Sequence, residues 1–125
     1  MYDALNRVTQ VTTDPAGALA PTTVQYAYDN VGNRTRLTYP DSDVVTYAYD
    51  VLNRLEAIRD ASATPIGSFT YDALARRTSL TRANGTSTTS AYDAANRLIQ
   101  LTHTLHPAPF TASYTYDALG NRAGP

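Results

Sequence analysis

Six aspartates, Asp3, Asp29, Asp50, Asp72, Asp93 and Asp117, each follow a tyrosine and are each answered four or five residues on by an arginine. Carboxylates stacked in a row could in principle work as general acid and general base. A catalytic dyad, however, needs two carboxyls made different by their surroundings, and six equivalent ones call for a single structural explanation. That explanation is turn capping, together with pairing to Arg7, Arg34, Arg54, Arg97 or Arg122, and its value lies in fixing register more than in energy. The ten tyrosines combine a flat ring with a hydroxyl rim, the chemistry that stacks on a sugar; cross-strand aromatic packing explains the same residues without a ligand. His103 and His106 could offer two ligands to a metal, but no cysteine or nearby carboxylate completes a set. Ser90 and Ser113 have no histidine placed to activate them, and glycine-rich phosphate loops are absent. No residue is assigned to catalysis, a cofactor or a metal.

The elements that must position these residues follow from repetition, which at a period of about 20 to 50 residues decides an architecture by itself. Tyr-Asp begins at positions 2, 28, 49, 71, 92 and 116. The copies read YDALNR, YDNVGNR, YDVLNR, YDALARR, YDAANR and YDALGNR. Their structural motif comprises Tyr2, Asp3 and Arg7; Tyr28, Asp29, Gly32 and Arg34; Tyr49, Asp50 and Arg54; Tyr71, Asp72 and Arg76; Tyr92, Asp93 and Arg97; and Tyr116, Asp117, Gly120 and Arg122. Ahead of each copy the pattern alternates with period two, as in Val24, Tyr26, Tyr28 and in Val45, Tyr47, Tyr49, which predicts a half-buried strand. Behind each copy lie segments rich in threonine and branched residues, at 7–12, 34–39, 55–59, 77–82 and 98–103, which predict a second strand.

Between the two strands the sequence is too short for a helix and predicts a tight turn. The aspartate accepts backbone N–H groups two residues on, and Asn6, Gly32, Asn53 and Asn96 tolerate the left-handed conformation. Ala75 fits that requirement less well. The third residue after each tyrosine is apolar (Leu5, Val31, Leu52, Leu74, Ala95, Leu119), and this predicts a side chain tucked back over the sheet. The remaining connections, around Asp14-Pro15-Ala16-Gly17, Pro40-Asp43, Thr64-Gly67, Asn84-Gly85 and His106-Pro109, read as variable hairpin loops on the opposite edge. The expectation is one all-β domain over 1–125, an antiparallel meander of about five hairpin repeats forming a curved sheet.

Ten arginines, no lysine and eleven acids leave a net charge of −1, too little field to attract nucleic acid or an anionic membrane. Cysteine is absent, which removes disulfides and thiolate chemistry. No apolar run reaches the roughly 18 residues of a membrane helix, and Met1 runs straight into the first motif, so no signal peptide is expected within this chain.

YDALGNR, YDNVGNRTRLT and YDVLNRL at a spacing near 21 residues resemble the Rhs/YD-repeat family, whose members include bacterial Rhs polymorphic toxins, the C component of Tc toxins, wall-associated proteins and teneurins. The resemblance implies a wall segment of a β-shell that encapsulates or displays a toxin effector. It also implies partners in the remainder of a longer shell, in self-association or in an enclosed effector, and a parent that is secreted or on the cell surface. A carbohydrate-binding or adhesive repeat surface is the alternative. The DPxG-like stretch at 14–17 reads as a β-turn, because it interrupts a repeat.

Overall fold

A computed structural model describes residues 1–14, 20–105 and 108–124. Among these residues there are β-strands and no helix, hence no helix long and apolar enough to cross a membrane. The strands are β1 (Gln10–Thr13), β2 (Thr22–Tyr28), β3 (Arg34–Thr38), β4 (Val44–Tyr49), β5 (Leu55–Arg59), β6 (Pro65–Tyr71), β7 (Arg77–Arg82), β8 (Ser87–Tyr92), β9 (Leu98–Thr104), β10 (Phe110–Ser113), β11 (Thr115–Tyr116) and β12 (Arg122–Gly124). Their order in the main sheet is the chain order, β1 to β10, and β11 pairs with β12. This is the antiparallel meander predicted from the two-strand repeat.

The chain divides into two compact units, Met1–Pro65 and Ile66–Pro125. In the first, Tyr26 faces Leu37, Leu37 faces Val45, and Tyr47 faces Ile58, an apolar row on one side of the sheet. Leu37 and, on the opposite side, Ala57 are the only buried apolar residues among those described. In the second unit a row runs through Phe69, Leu80, Thr88, His103 and Phe110, and no hydrophobic side chain is buried among the described residues. Sheets normally bury a face against a second layer; here each side carries at most one buried side chain, so packing alone cannot hold the strands in place.

Nine turns among the described residues share one backbone design. The first residue donates its N–H to the carbonyl of the fifth, and the fourth donates back to the first, as in Asp3 N to Arg7 O and Asn6 N to Asp3 O, both 3.0 Å. The fourth residue has positive φ in each: Asn6, Gly32, Asn53, Ala75, Asn96 and Gly120 in the motif turns, Ser42, Ala63 and Gly85 in the others. Such a residue closes a short hairpin loop with the twist that antiparallel strands require. The variable connections at 39–43, 60–64 and 82–86 are therefore the same turn as the motif turns, which their sequences concealed. Pro15, Ala16, Gly17 and His106 lie outside the described residues.

Five of the six motif tyrosines also sit at a register shift. Tyr28 faces Arg34 while Ala27 faces Arg36, leaving Thr35 as the extra residue of a bulge. Glu56, Thr78, Ile99 and Ala123 hold the same place in later copies, always six residues past the aspartate.

One expectation about the turns is overturned. Leu5, Val31, Leu52, Leu74 and Leu119 do not fold back over the sheet but are 63 to 88% exposed. They occupy the third turn position, whose side chain leaves the hairpin tip along the sheet edge, beyond reach of either face.

Ala75 and Ala63, at φ 62 and 63°, carry a β-carbon where glycine would be unstrained. Left-handed backbone costs an L-residue roughly 1–2 kcal/mol, part of which is offset by the greater unfolded-state freedom of glycine. Ala75→Gly and Ala63→Gly should each stabilise the chain by about 0.5–1 kcal/mol in urea titrations. Gly85→Ala should destabilise it comparably, since its β-carbon would meet nothing within 4 Å and strain alone acts.

Candidate functional site

The motif side chains are positioned from the aspartate outward. Asp3 Oδ1 accepts from the backbone of Leu5 (3.0 Å) and Arg7 (2.9 Å), while Oδ2 accepts from Arg7 Nε at 2.7 Å. Asp50 treats Leu52 and Arg54 in the same way, Asp72 treats Leu74 and Arg76, and Asp93 treats Ala95 and Arg97, each with an Nε–Oδ2 distance of 2.7 Å. One oxygen thus caps the turn and the other holds the guanidinium.

Arg34 and Arg122 depart from the expected pairing. In YDNVGNR and YDALGNR the extra residue moves arginine from the fourth to the fifth position after aspartate, and alternation along a strand turns it to the other side. Asn33 and Asn121 take the vacated place, their Nδ2 donating to Asp29 Oδ2 (2.9 Å) and Asp117 Oδ2 (3.1 Å). Arg34 lies over the ring of Tyr47 at 4.7 Å and near that of Tyr26 at 6.0 Å, and Arg122 lies over Tyr114 at 5.4 Å.

The same groups also bridge neighbouring repeats. Tyr28 hydroxyl donates to Val8 O (2.8 Å), Tyr49 to Arg34 O (2.9 Å), Tyr92 to Arg77 O (3.0 Å) and Tyr116 to Leu98 O (2.6 Å). The acceptor is always five residues past the preceding aspartate. At Arg34, Arg77 and Leu98 it directly precedes the extra bulge residue, where the ladder is locally disrupted and a side-chain donor has room. Arg7, Arg76 and Arg97 lay their guanidinium groups on the rings of Tyr28, Tyr92 and Tyr116 at 4.7, 4.8 and 4.7 Å, a favourable cation–π placement. Arg7 Nη1 reaches Asp29 O at 3.1 Å, and Arg76 Nη1 reaches Asp93 O at 3.2 Å. The left-handed asparagine is an acceptor as well: Asn53 Oδ1 from Asn33 Nδ2 (2.8 Å), and Asn96 Oδ1 from Arg76 Nη1 (2.7 Å). Single-repeat reading could not find this contact, since both partners look satisfied within their own turns.

Each motif carboxyl is held below its ordinary value. For Asp3, Asp50 and Asp93 the largest influence is the backbone N–H of the arginine four residues on, and for Asp117 it is the Asn121 side chain. For Asp29 and Asp72 desolvation is the largest single influence and pushes upward, but the hydrogen bonds together outweigh it. All six shift the same way, whereas an acid–base pair needs values driven apart. The hydroxyls of Tyr28, Tyr49, Tyr92 and Tyr116 are spent on carbonyls, and an arginine covers one ring face of Tyr28, Tyr92 and Tyr116. His103 Nδ1 shares a hydrogen with Thr88 Oγ1 at 2.9 Å, and no cluster of potential metal ligands occurs among the described residues.

The family model for RHS Repeat matches residues 2–44, 28–65 and 71–107. The chain belongs to the RHS-repeat family. None of the curated proteins matches it. Among solved structures, this RHS-repeat chain is similar to the crystal structure of TcdB2-TccC3-Cdc42 (TM-score 0.76, 20% identity over 97% of this chain) and to that of TcdB2-TccC3 (0.75, 20%, 97%). It is also similar to the Photorhabdus luminescens Tc holotoxin pore carrying a TccC3 mutation (0.67, 24%, 82%). These likenesses establish the fold. The chain spans 7% of the first two chains and 5% of the third.

Asn96→Gly tests the joint between repeats. Glycine suits the left-handed position at least as well, so a turn role alone predicts no loss. Loss of the Arg76 hydrogen bond instead predicts destabilisation of about 0.5–1.5 kcal/mol. Asn6→Gly, whose side chain has no hydrogen bond among the described residues, should change stability by under about 0.5 kcal/mol. The lowered carboxyls add a pH dependence. Their contribution is complete at neutral pH and is lost as pH falls below about 4 and through the lowered values. Urea midpoints should be flat from pH 7 to 5 and fall steeply between pH 4 and 2; a flat profile through pH 3 would show the carboxylates to be idle.

Proposed function

We propose that the chain is a non-catalytic wall segment of an RHS-repeat shell in a secreted toxin, and that the parent shell encloses or displays an effector. The supporting observation is how the motif is spent. In every copy the aspartate is consumed by its own turn, and in the four copies described above the tyrosine hydroxyl is consumed by the preceding repeat. A wall requires side chains that bind one strand pair to the next and that leave nothing reactive towards a cargo. The likeness to a small part of the TcdB2-TccC3 chains supports the same reading, because a piece of that size contributes wall and not a complete container.

The test is made on the full-length parent. Cryo-electron microscopy should show a hollow β-walled particle with this segment in its wall, and a C-terminal region resistant to protease until the wall is opened by acid or heat. Asp50→Ala should lower the temperature at which protection is lost while leaving the released activity per molecule unchanged. A parent without a lumen, or a hydrolytic activity of the 125-residue chain abolished by changing one motif aspartate alone, would overturn the reading.

A further inference from the structure

The turn at 82–86 carries a tripeptide that the joints between repeats do not use. Asn84-Gly85-Thr86 has the spacing Asn-x-Ser/Thr at which an asparagine amide accepts a sugar, and the same spacing occurs once more, at Asn33-Arg34-Thr35. The fold treats the two amides in opposite ways. Asn33 is half-buried, and its Nδ2 donates to Asp29 Oδ2 at 2.9 Å and to Asn53 Oδ1 at 2.8 Å, so both hydrogens are spent. Asn84 is exposed at the third position of its turn, the place from which side chains leave the hairpin tip. Its Oδ1 accepts from the Thr86 backbone N–H (3.1 Å) and from the Thr86 hydroxyl (2.8 Å), which orients the amide, while Nδ2 has no hydrogen bond among the described residues. The tip is also uncrowded: apart from its chain neighbours, a β-carbon on Gly85 would meet no atom within 4 Å.

We propose that Asn84 is a modification site, the acceptor for an N-linked sugar delivered from a diphosphate-activated donor. Nδ2 attacks the anomeric carbon as the bond from that carbon to the diphosphate oxygen breaks. The diphosphate departs with the electron pair, Nδ2 gives up one proton to a carboxylate of the transferase, and nothing is oxidised or reduced. The step needs an Nδ2 free of other partners, whereas Asn33 must first release Asp29 and Asn53. β7 and β8 separate the 82–86 tip from the motif turns at 72–76 and 93–97, so a sugar on Asn84 leaves the Arg76 contact with Asn96 and the Tyr92 bond to Arg77 O untouched. The inference stands on the turn geometry and is independent of the shell reading.

The test uses the folded 125-residue chain and two transferases that read the tripeptide, one soluble and supplied with a nucleotide-activated hexose, the other membrane-bound and supplied with a polyprenyl-diphosphate oligosaccharide. Peptide mass mapping reads the sites. Sugar should appear on Asn84 about tenfold or more faster than on Asn33, the difference being the two hydrogen bonds that Asn33 must break, and the arm that delivers it identifies the donor. Asn84→Gln and Thr86→Ala should each abolish that product, and Thr86→Ser should retain it. Peptides spanning 28–40 and 79–91, which lack the fold, should accept sugar at comparable rates. The thermal midpoint of the modified chain should not fall. No sugar on Asn84 in either arm, or modification of Asn33 as fast as Asn84 in the folded chain, overturns the proposal. So does sugar retained on the Thr86→Ala variant, or the same preference in the peptides, which would assign selection to flanking sequence instead of the fold.

Discussion

A sheet that buries almost nothing must hold its strands by their polar groups, and in this chain the carboxylate heading each motif turn is the group from which the others take their positions. Asp50 Oδ1 fixes the turn backbone and Oδ2 fixes the guanidinium of Arg54. In the copies whose next repeat lies in the same unit, the arginine held this way then meets the following tyrosine ring. Without the carboxylate, arginine would lose the anchor that aims it across the gap, and long side chains lose conformational freedom at appreciable cost when ordered from a free start. The order of dependence is turn, then arginine, then neighbouring tyrosine.

That dependence makes stability a property of adjacent pairs of repeats. Repeat arrays behave approximately as a sum of intrinsic terms and nearest-neighbour interface terms, and here the interface term can be named. It comprises a tyrosine hydroxyl on a carbonyl, a guanidinium or amide reaching the next turn, and an asparagine acceptor where the left-handed position carries one. Copies differ in how much they contribute. Arg76 makes bonds to both Asp93 O and Asn96 Oδ1. Where the next left-handed residue is Gly120, no side-chain acceptor exists, and the Arg97 contact across the joint is the ring of Tyr116. Glycine therefore eases the turn of its own repeat while weakening its grip on the one before.

Repetition made the fold legible, because period-two alternation ahead of each Tyr-Asp and threonine-rich segments behind it leave little besides a hairpin meander. The turn capping by aspartate was legible for the same reason. Other features were not, three of them in the turns themselves. The shift of Arg34 and Arg122 away from aspartate follows from a one-residue insertion whose effect depends on strand alternation, visible only once the turn length is known. The exposure of Leu5 and Leu52 contradicts the usual inference from an apolar residue, because the hairpin tip offers no face to cover it. Ala75 and Ala63 at positive φ show tertiary pairing imposing a conformation that neither residue prefers: the strands on both sides fix the turn, and the local strain is smaller than the cost of losing their register.

The variable edge shows what the motif is for. The turns at 39–43, 60–64 and 82–86 adopt the same backbone as the motif turns with Ser42, Ala63 and Gly85 in the left-handed place, and Asp60 caps its turn through Ser62 and Thr64 as Asp3 does through Leu5 and Arg7. Reversal of the chain therefore needs neither the tyrosine nor the arginine. What the variable turns lack is the pair of long side chains that leave the hairpin and seize its neighbour. Tyr-Asp with its trailing arginine or asparagine is thus a device for coupling hairpins side by side. Its recurrence on every second turn is what a wall made of a meander requires, since each hairpin need be tied to the next along one edge only, leaving the other edge free to vary in length and sequence.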